Sequence, residues 1–164
     1  MKTCVFAGTF DPFTNGHAFV VQKCLETFDK VVVAVGVNVD KKPLFDLSER
    51  MEIIKTIYKE QPNVEVCSFN GMLVDFMKER GIKFTVRGLR DADDYKYETT
   101  MARYNQDMWK DVITLFIPTP PELSYVSSSA MRNIIGIGSD FSEYIPKEAL
   151  NYVKELIKGK EKTK

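Results

Sequence analysis

The sequence predicts a single α/β domain: a five-stranded parallel sheet with helices on both faces. Short apolar runs alternate with helix-period stretches from one end to the other. The apolar runs carry few charges, as strands buried on both faces do. No Pro-, Gly- or Ser-rich linker divides the 164 residues, and that length buries a core without disulfides or metals.

The strands are expected at Thr3–Ala7, Val31–Val37, Val64–Phe69, Phe84–Val86 and Ile113–Ile117. Between the first two, Phe19, Val20, Cys24, Leu25 and Phe28 fall on one helical stripe. Asp46-Leu47-Ser48-Glu49 fits the capping-box start of a second helix, whose stripe is Met51, Ile54, Ile57 and Tyr58. A third helix over Leu73–Arg80 ends at Gly81, and a fourth spans Asp93–Met108. Pro146 opens a last helix, Lys147–Lys158. The domain is expected to fill residues 1–158, with 159–164 a frayed polar tail.

Composition excludes several classes. Lys plus Arg and Asp plus Glu both number 23, against the basic excess of a non-specific nucleic-acid binder. The three cysteines, Cys4, Cys24 and Cys67, are scattered and read as free thiols, not as a disulfide framework or zinc site. No apolar stretch is long enough to span a bilayer, and no signal peptide follows Met1. The expectation is a soluble cytoplasmic protein with neither nucleic-acid nor membrane partners.

Parallel sheets bind ligands outside the carboxyl ends of their strands, so the loops there carry the functional argument. The first reads Gly8-Thr9-Phe10-Asp11-Pro12-Phe13-Thr14-Asn15-Gly16-His17 and contains the chain's one histidine. Gly8 allows a tight turn, Thr14 or Asn15 can cap the next helix, and His17 sits in its first turn, where an anion is well held. The second loop carries Lys41-Lys42-Pro43. The fourth carries Arg87-Gly88-Leu89-Arg90, whose guanidinium forks match phosphate oxygens. Beyond it, Glu98 could accept from a ribose hydroxyl or a base amino group, or be an exposed helix carboxylate. After the fifth strand, Ser127-Ser128-Ser129 with Arg132 could hold a triphosphate, or the serines could cap a helix. The chain has no P-loop, no GxGxxG fingerprint, no Cys/His metal cluster and no second histidine for a triad.

Thr14-Asn15-Gly16-His17 resembles the (H/T)xGH motif of the nucleotidyltransferase superfamily, and Val126–Arg132 resembles its ISSTxxR motif. Together with Lys41-Lys42-Pro43, Arg87–Arg90 and Asp94-Tyr95-Lys96-Tyr97-Glu98, these make the chain similar to the bacterial phosphopantetheine adenylyltransferase family from residue 8 to 132. Val126 and Ser129 stand where the motif has Ile and Thr, and Asp91-Ala92-Asp93 makes the segment after Arg90 acidic.

The resemblance implies a Rossmann-like dinucleotide-binding fold and transfer of AMP from ATP to 4′-phosphopantetheine, giving dephospho-CoA and pyrophosphate. It implies that Thr9, Phe10, His17, Gly88, Leu89, Arg90, Glu98, Leu123, Ser124, Tyr125, Val126, Ser127, Ser128 and Ser129 hold ATP. Thr9, Lys41, Leu73 and Arg87 would hold the acceptor, with His17, Lys41 and Arg90 acting at the transferred phosphorus. It also implies Mg²⁺ bound with ATP, a homohexamer and feedback inhibition by CoA. Relatives with another acceptor, nicotinate mononucleotide or a CTP-dependent one, usually carry His where Thr14 stands. A non-catalytic nucleotide sensor would have lost His17 or the cations.

Overall fold

The computed structural model describes residues 1–37 and 42–162. In chain order the elements are β1 (Thr3–Gly8), α1 (Asn15–Leu25), β2 (Lys30–Gly36), α2 (Leu47–Ile57), β3 (Val64–Phe69) and α3 (Leu73–Glu79). They continue with β4 (Phe84–Leu89), α4 (Ala92–Met108), β5 (Ile113–Pro118), α5 (Pro121–Ser124), α6 (Ser128–Gly136) and α7 (Lys147–Glu161). The five strands are all parallel, in the order β3-β2-β1-β4-β5. The order reverses between β1 and β4. That is the switch point where the loops following neighbouring strands part and leave a crevice.

Alternation along β1 divides the core into two layers. Cys4 and Phe6 point to a cluster built with α1, α2, α6 and α7, including Val20, Val21, Cys24, Ile53, Ile54, Met131 and Val153. Val5 and Ala7 point to a cluster with Met77 of α3. Burial of β1 and β2 on both faces explains why they read as continuous apolar runs. The helix on Asp46 starts as expected. Its carboxylate accepts the Glu49 N–H at 2.8 Å, and Glu49 returns to the Asp46 N–H at 2.9 Å.

Two boundaries differ from the sequence reading by more than one residue. β4 continues through Arg87-Gly88-Leu89, paired with Phe116, Ile117 and Pro118 of β5, so these residues belong to a strand end and not to a loop. Gly88 looks like turn punctuation in the sequence, but its role is close packing: a Cβ there would lie 2.9 Å from Val20 Cγ2 on α1. The last helix runs on to Glu161, so Gly159, Lys160 and Glu161 are helical and not frayed. A tertiary contact offsets the helix-weakening glycine, since Lys160 Nζ lies 2.7 Å from the Glu49 carboxylate of α2.

Candidate active site

At the switch point lies a cleft of about 410 Å³, lined from the ends of β1 and β4 and the starts of α1, α4 and α6. Its floor is the loop after β1. Phe10 takes a left-handed backbone, φ 51°, with its ring buried against Phe6, Phe13 and His17. That conformation is uncommon for a residue with a Cβ and needs support. Part of the support is Gly8, where a Cβ would meet the Phe10 ring at 2.8 Å.

The rest comes from hydrogen bonds on both sides of the loop. Arg50 of α2, 4% exposed, donates from Nη1 to the Thr9 carbonyl at 2.7 Å and to the Gly36 carbonyl at 3.3 Å. From α6, Arg132 donates to the Asp11 carbonyl at 2.8 Å, and Ser128 Oγ donates to the Pro12 carbonyl at 2.9 Å. The buried Asp11 carboxylate accepts the Leu44 and Phe45 N–H groups at 2.9 and 2.8 Å, tying the loop to the approach to α2.

Helix α1 begins one residue after Thr14, and His17 is its third residue. The Thr14 N–H donates to His17 Nδ1 at 3.0 Å, with Thr14 Oγ1 3.1 Å from the same nitrogen. This is the returning arm of a capping box, with histidine in the place usually held by Glu or Gln. The spacing of the TxGH motif is thus the geometry of a helix start. Because Nδ1 accepts, the proton of the neutral ring sits on Nε2, the nitrogen away from Thr14. Burial, then the positive charges of Arg90 and Arg87, lower the His17 pKa to about 3. His17 is therefore a neutral donor at neutral pH.

Both arginines are already paired. Arg87 binds Glu98 through Nε and Nη2 at 2.8 and 2.6 Å and donates from Nη1 to the Ala7 carbonyl. Arg90 binds Asp94 through Nε and Nη2 at 2.8 and 3.0 Å. The hydrogen bonds to Asp94 hold the Arg90 pKa above its usual value and the Asp94 carboxyl below its own. The acidic run after Arg90 is the start of α4: Asp91 caps it by accepting the Asp94 N–H at 2.8 Å, and Asp93 and Asp94 lie in its first turn.

The serines at α6 are committed as well. Ser127 Oγ accepts the Ala130 N–H as the cap, Ser128 is tied to Pro12, and Ser129 Oγ accepts from Arg132 at 3.0 Å. Arg132 thus fastens the β1 loop and does not line the cleft. What α6 offers an anion is its first-turn N–H groups.

Of the residues singled out in the sequence, Thr9, Phe10, His17, Arg87, Gly88, Arg90, Glu98, Leu123, Val126, Ser127, Ser128 and Ser129 line this cleft. Leu89, Ser124 and Tyr125 lie beside it; Tyr125 is 65% exposed and edge-on to Tyr144. Leu73 packs against the α3-side core and is not brought to the cleft. Lys41 lies outside the described residues. Sequence reasoning missed Arg50, although it occupies the buried stripe of α2 with Ile53 and Ile54, where a charge has to be explained. It also missed the roles of Asp11 and Asp94. The latter was readable as an i,i+4 partner of Arg90.

A parallel sheet carrying a histidine donor, guanidinium forks and a helix N-terminus at its switch point has the equipment of a nucleotidyltransferase. The cytidylyltransferase-like family model matches residues 5–134. The phosphopantetheine adenylyltransferase of Clostridium tetani is 44% identical over 150 residues, covering 92% of this chain and 94% of its own. That of Clostridium botulinum is 42% identical over 153 residues, covering 93% and 96%. A bifunctional NMN adenylyltransferase/ADP ribose pyrophosphatase from Francisella tularensis shares the fold, with a TM-score of 0.74 at 14% identity, over 96% of this chain and 50% of its own. The chain belongs to the phosphopantetheine adenylyltransferase family of nucleotidyltransferases. Among the described residues no helix is long and apolar enough to cross a membrane.

Proposed function

We propose that this chain transfers the adenylyl group of ATP to 4′-phosphopantetheine, forming dephospho-CoA and pyrophosphate, a step of coenzyme A synthesis. The observation that carries the reading is the neutral His17 imidazole, fixed by Thr14 through Nδ1, in the lining of a cleft that also contains two arginines and the α6 N-terminus. Displacement at phosphorus needs positioned reactants and dispersed charge more than a protein nucleophile. His17 would donate to the α-phosphate as charge builds on it, without giving up a proton. Arg90 and the first-turn N–H groups of α6, with Thr9, Phe10, Gly88, Leu89, Glu98 and Leu123–Ser129 around them, would hold ATP. Thr9, Arg87 and Lys41 would hold the acceptor phosphate, and Leu73, outside the cleft, would meet the acceptor's pantetheine arm; the phosphate attacks in line with no covalent enzyme intermediate.

Mg²⁺ would enter on the nucleotide. The described residues gather no group of three His, Cys, Asp or Glu side chains able to cage a cation, and Mg²⁺ in such sites is held largely by substrate phosphates and water. Bound there it would neutralise phosphate charge. A cytoplasmic homohexamer inhibited by CoA completes the reading. In support of assembly, α4 buries none of its residues and leaves Tyr95, Tyr97 and Tyr104 exposed, near an edge strand with Ile113 and Leu115 exposed.

Incubation with ATP labelled at the α-phosphate, Mg²⁺ and 4′-phosphopantetheine tests this. Label should pass to dephospho-CoA and none should remain on protein after denaturation. Label retained on the protein, or absent from that product, would overturn the mechanism or the acceptor respectively.

A further inference from the structure

Phe10 is 3% exposed, takes a left-handed backbone and lines the cleft. Among the described residues its N–H has no hydrogen-bond acceptor. Strand β1 ends two residues earlier, so the sheet ladder supplies none. Buried backbone donors are nearly always paired, so an N–H left over beside a cleft marks a place for a ligand atom.

The direction of that N–H follows from the peptide it belongs to. The Thr9–Phe10 peptide is trans, and in a trans peptide the C=O and N–H point to opposite sides. The Thr9 carbonyl points at Arg50 Nη1, 2.7 Å away. Arg50 lies on α2, buried and outside the cleft lining. The Phe10 N–H therefore points away from α2.

Arg50 is itself fixed. Its Nε donates to the Asp46 carbonyl at 3.3 Å, and Nη1 also reaches the Gly36 carbonyl at 3.3 Å. On the other side of Phe10, the Asp11 carboxylate is held by the Leu44 and Phe45 N–H groups, and the Asp11 carbonyl by Arg132. Turning the Thr9–Phe10 peptide over would take an acceptor from the Arg50 guanidinium and bring a carbonyl oxygen, the negative end of the dipole, to the side where phosphate binds.

We propose that Arg50 is a positioning residue for adenylyl transfer: by drawing the Thr9 carbonyl inward it presents the Phe10 N–H to the cleft as a donor to the α-phosphate. This rests on the reading that assigns Phe10 to ATP, and it adds the side chain that aims the donor. Arg50 itself touches no substrate.

The test uses two variants of the full chain. Arg50→Met should lower kcat by about 10–10²-fold, less than or equal to the usual loss of a transition-state donor. The KM for ATP should stay within about threefold, because the bond tightens as charge builds on the phosphate. Arg50→Lys keeps the charge without the planar fork and should fall between Arg50→Met and wild type. A raised KM with unchanged kcat, or wild-type kcat in both variants, overturns the proposal. Replacing Phe10 by its α-hydroxy acid analogue exchanges the N–H for an ester oxygen and keeps the ring. On that background Arg50→Met should add no more than about a threefold change, since its effect passes through the same N–H. Full additivity overturns the proposal.

The Phe10 amide resonance gives a readout without turnover, titrated with Mg²⁺ and α,β-methylene ATP. Its proton should move downfield on binding in the wild type and move much less in Arg50→Met. An amide that stays put in the wild type, or moves equally in both, overturns the proposal. If Arg50→Met does not fold, Arg50→Lys carries both measurements. The titration involves no acceptor. A chain that uses another acceptor would fail with phosphopantetheine and still show the amide shift that depends on Arg50, its kcat then being read with that acceptor.

Discussion

At His17 the chemistry follows from a helix cap. Thr14 takes one ring nitrogen and leaves the other as donor, so in the proposed reaction the group would act by hydrogen bonding in its neutral form. His17→Ala should lower kcat by about 10²–10³, the usual cost of losing one transition-state donor. Calorimetry should show ATP affinity falling far less. The lowered pKa also ties His17 to stability. With a folded value of about 3, below the ordinary value of 6.5, the neutral ring contributes fully above pH 6.5, and the contribution is lost as pH falls toward 3. Thermal unfolding of wild type and His17→Gln should therefore diverge against wild type as pH is lowered from about 7 to about 4.

Residue identity alone was a fair guide to the site when the type was distinctive. His17, Arg87, Arg90 and the Ser127–Ser129 run all meet in one cleft. What the residue types did not disclose was how they are used. Hydroxyls of Ser127, Ser128 and Ser129 serve the frame, and Arg132 serves the β1 loop, because those partners are more than 100 residues away for Ser128 and Arg132. Local sequence cannot show that. Arg50 was hidden for the same reason: its partners Thr9 and Gly36 arrive through the sheet.

Among the elements, β1 and β2 were legible because strands buried on both faces demand continuous apolar runs. The end of β4 was misread because Gly88 normally signals a turn, whereas here it admits α1. Gly88→Ala should cost about 1–3 kcal/mol in denaturant unfolding, as overpacking usually does. Val20→Ala on the same chain should recover part of it. One side chain, Arg50, bonds α2 to the ends of both β1 and β2. Arg50→Met leaves the part-buried Thr9 and Gly36 carbonyls without this donor and should cost about 1–3 kcal/mol. Activity should fall as well, since the Thr9–Phe10 backbone loses its support. The end of α7 was misjudged because a Gly-Lys-Glu-Lys tail is polar, while the Lys160–Glu49 pair that anchors it is tertiary.

Over the whole molecule, the strand order puts its reversal, the β1 loop and the β4 end at one crevice, and the starts of α1, α4 and α6 complete the lining of the cleft there. The exposed apolar side of α4 and β5 supports the proposed assembly. Sedimentation should give six chain masses, and Leu115→Glu should shift the population to smaller species; a monomer at micromolar concentration would remove the hexamer from the proposal. The most direct measurement is pyrophosphate release by the pure protein from Mg-ATP with 4′-phosphopantetheine, beside nicotinate mononucleotide and CTP with phosphocholine. Release with phosphopantetheine alone, accompanied by dephospho-CoA, is the expected result. Turnover with another pair and none with phosphopantetheine would contradict it.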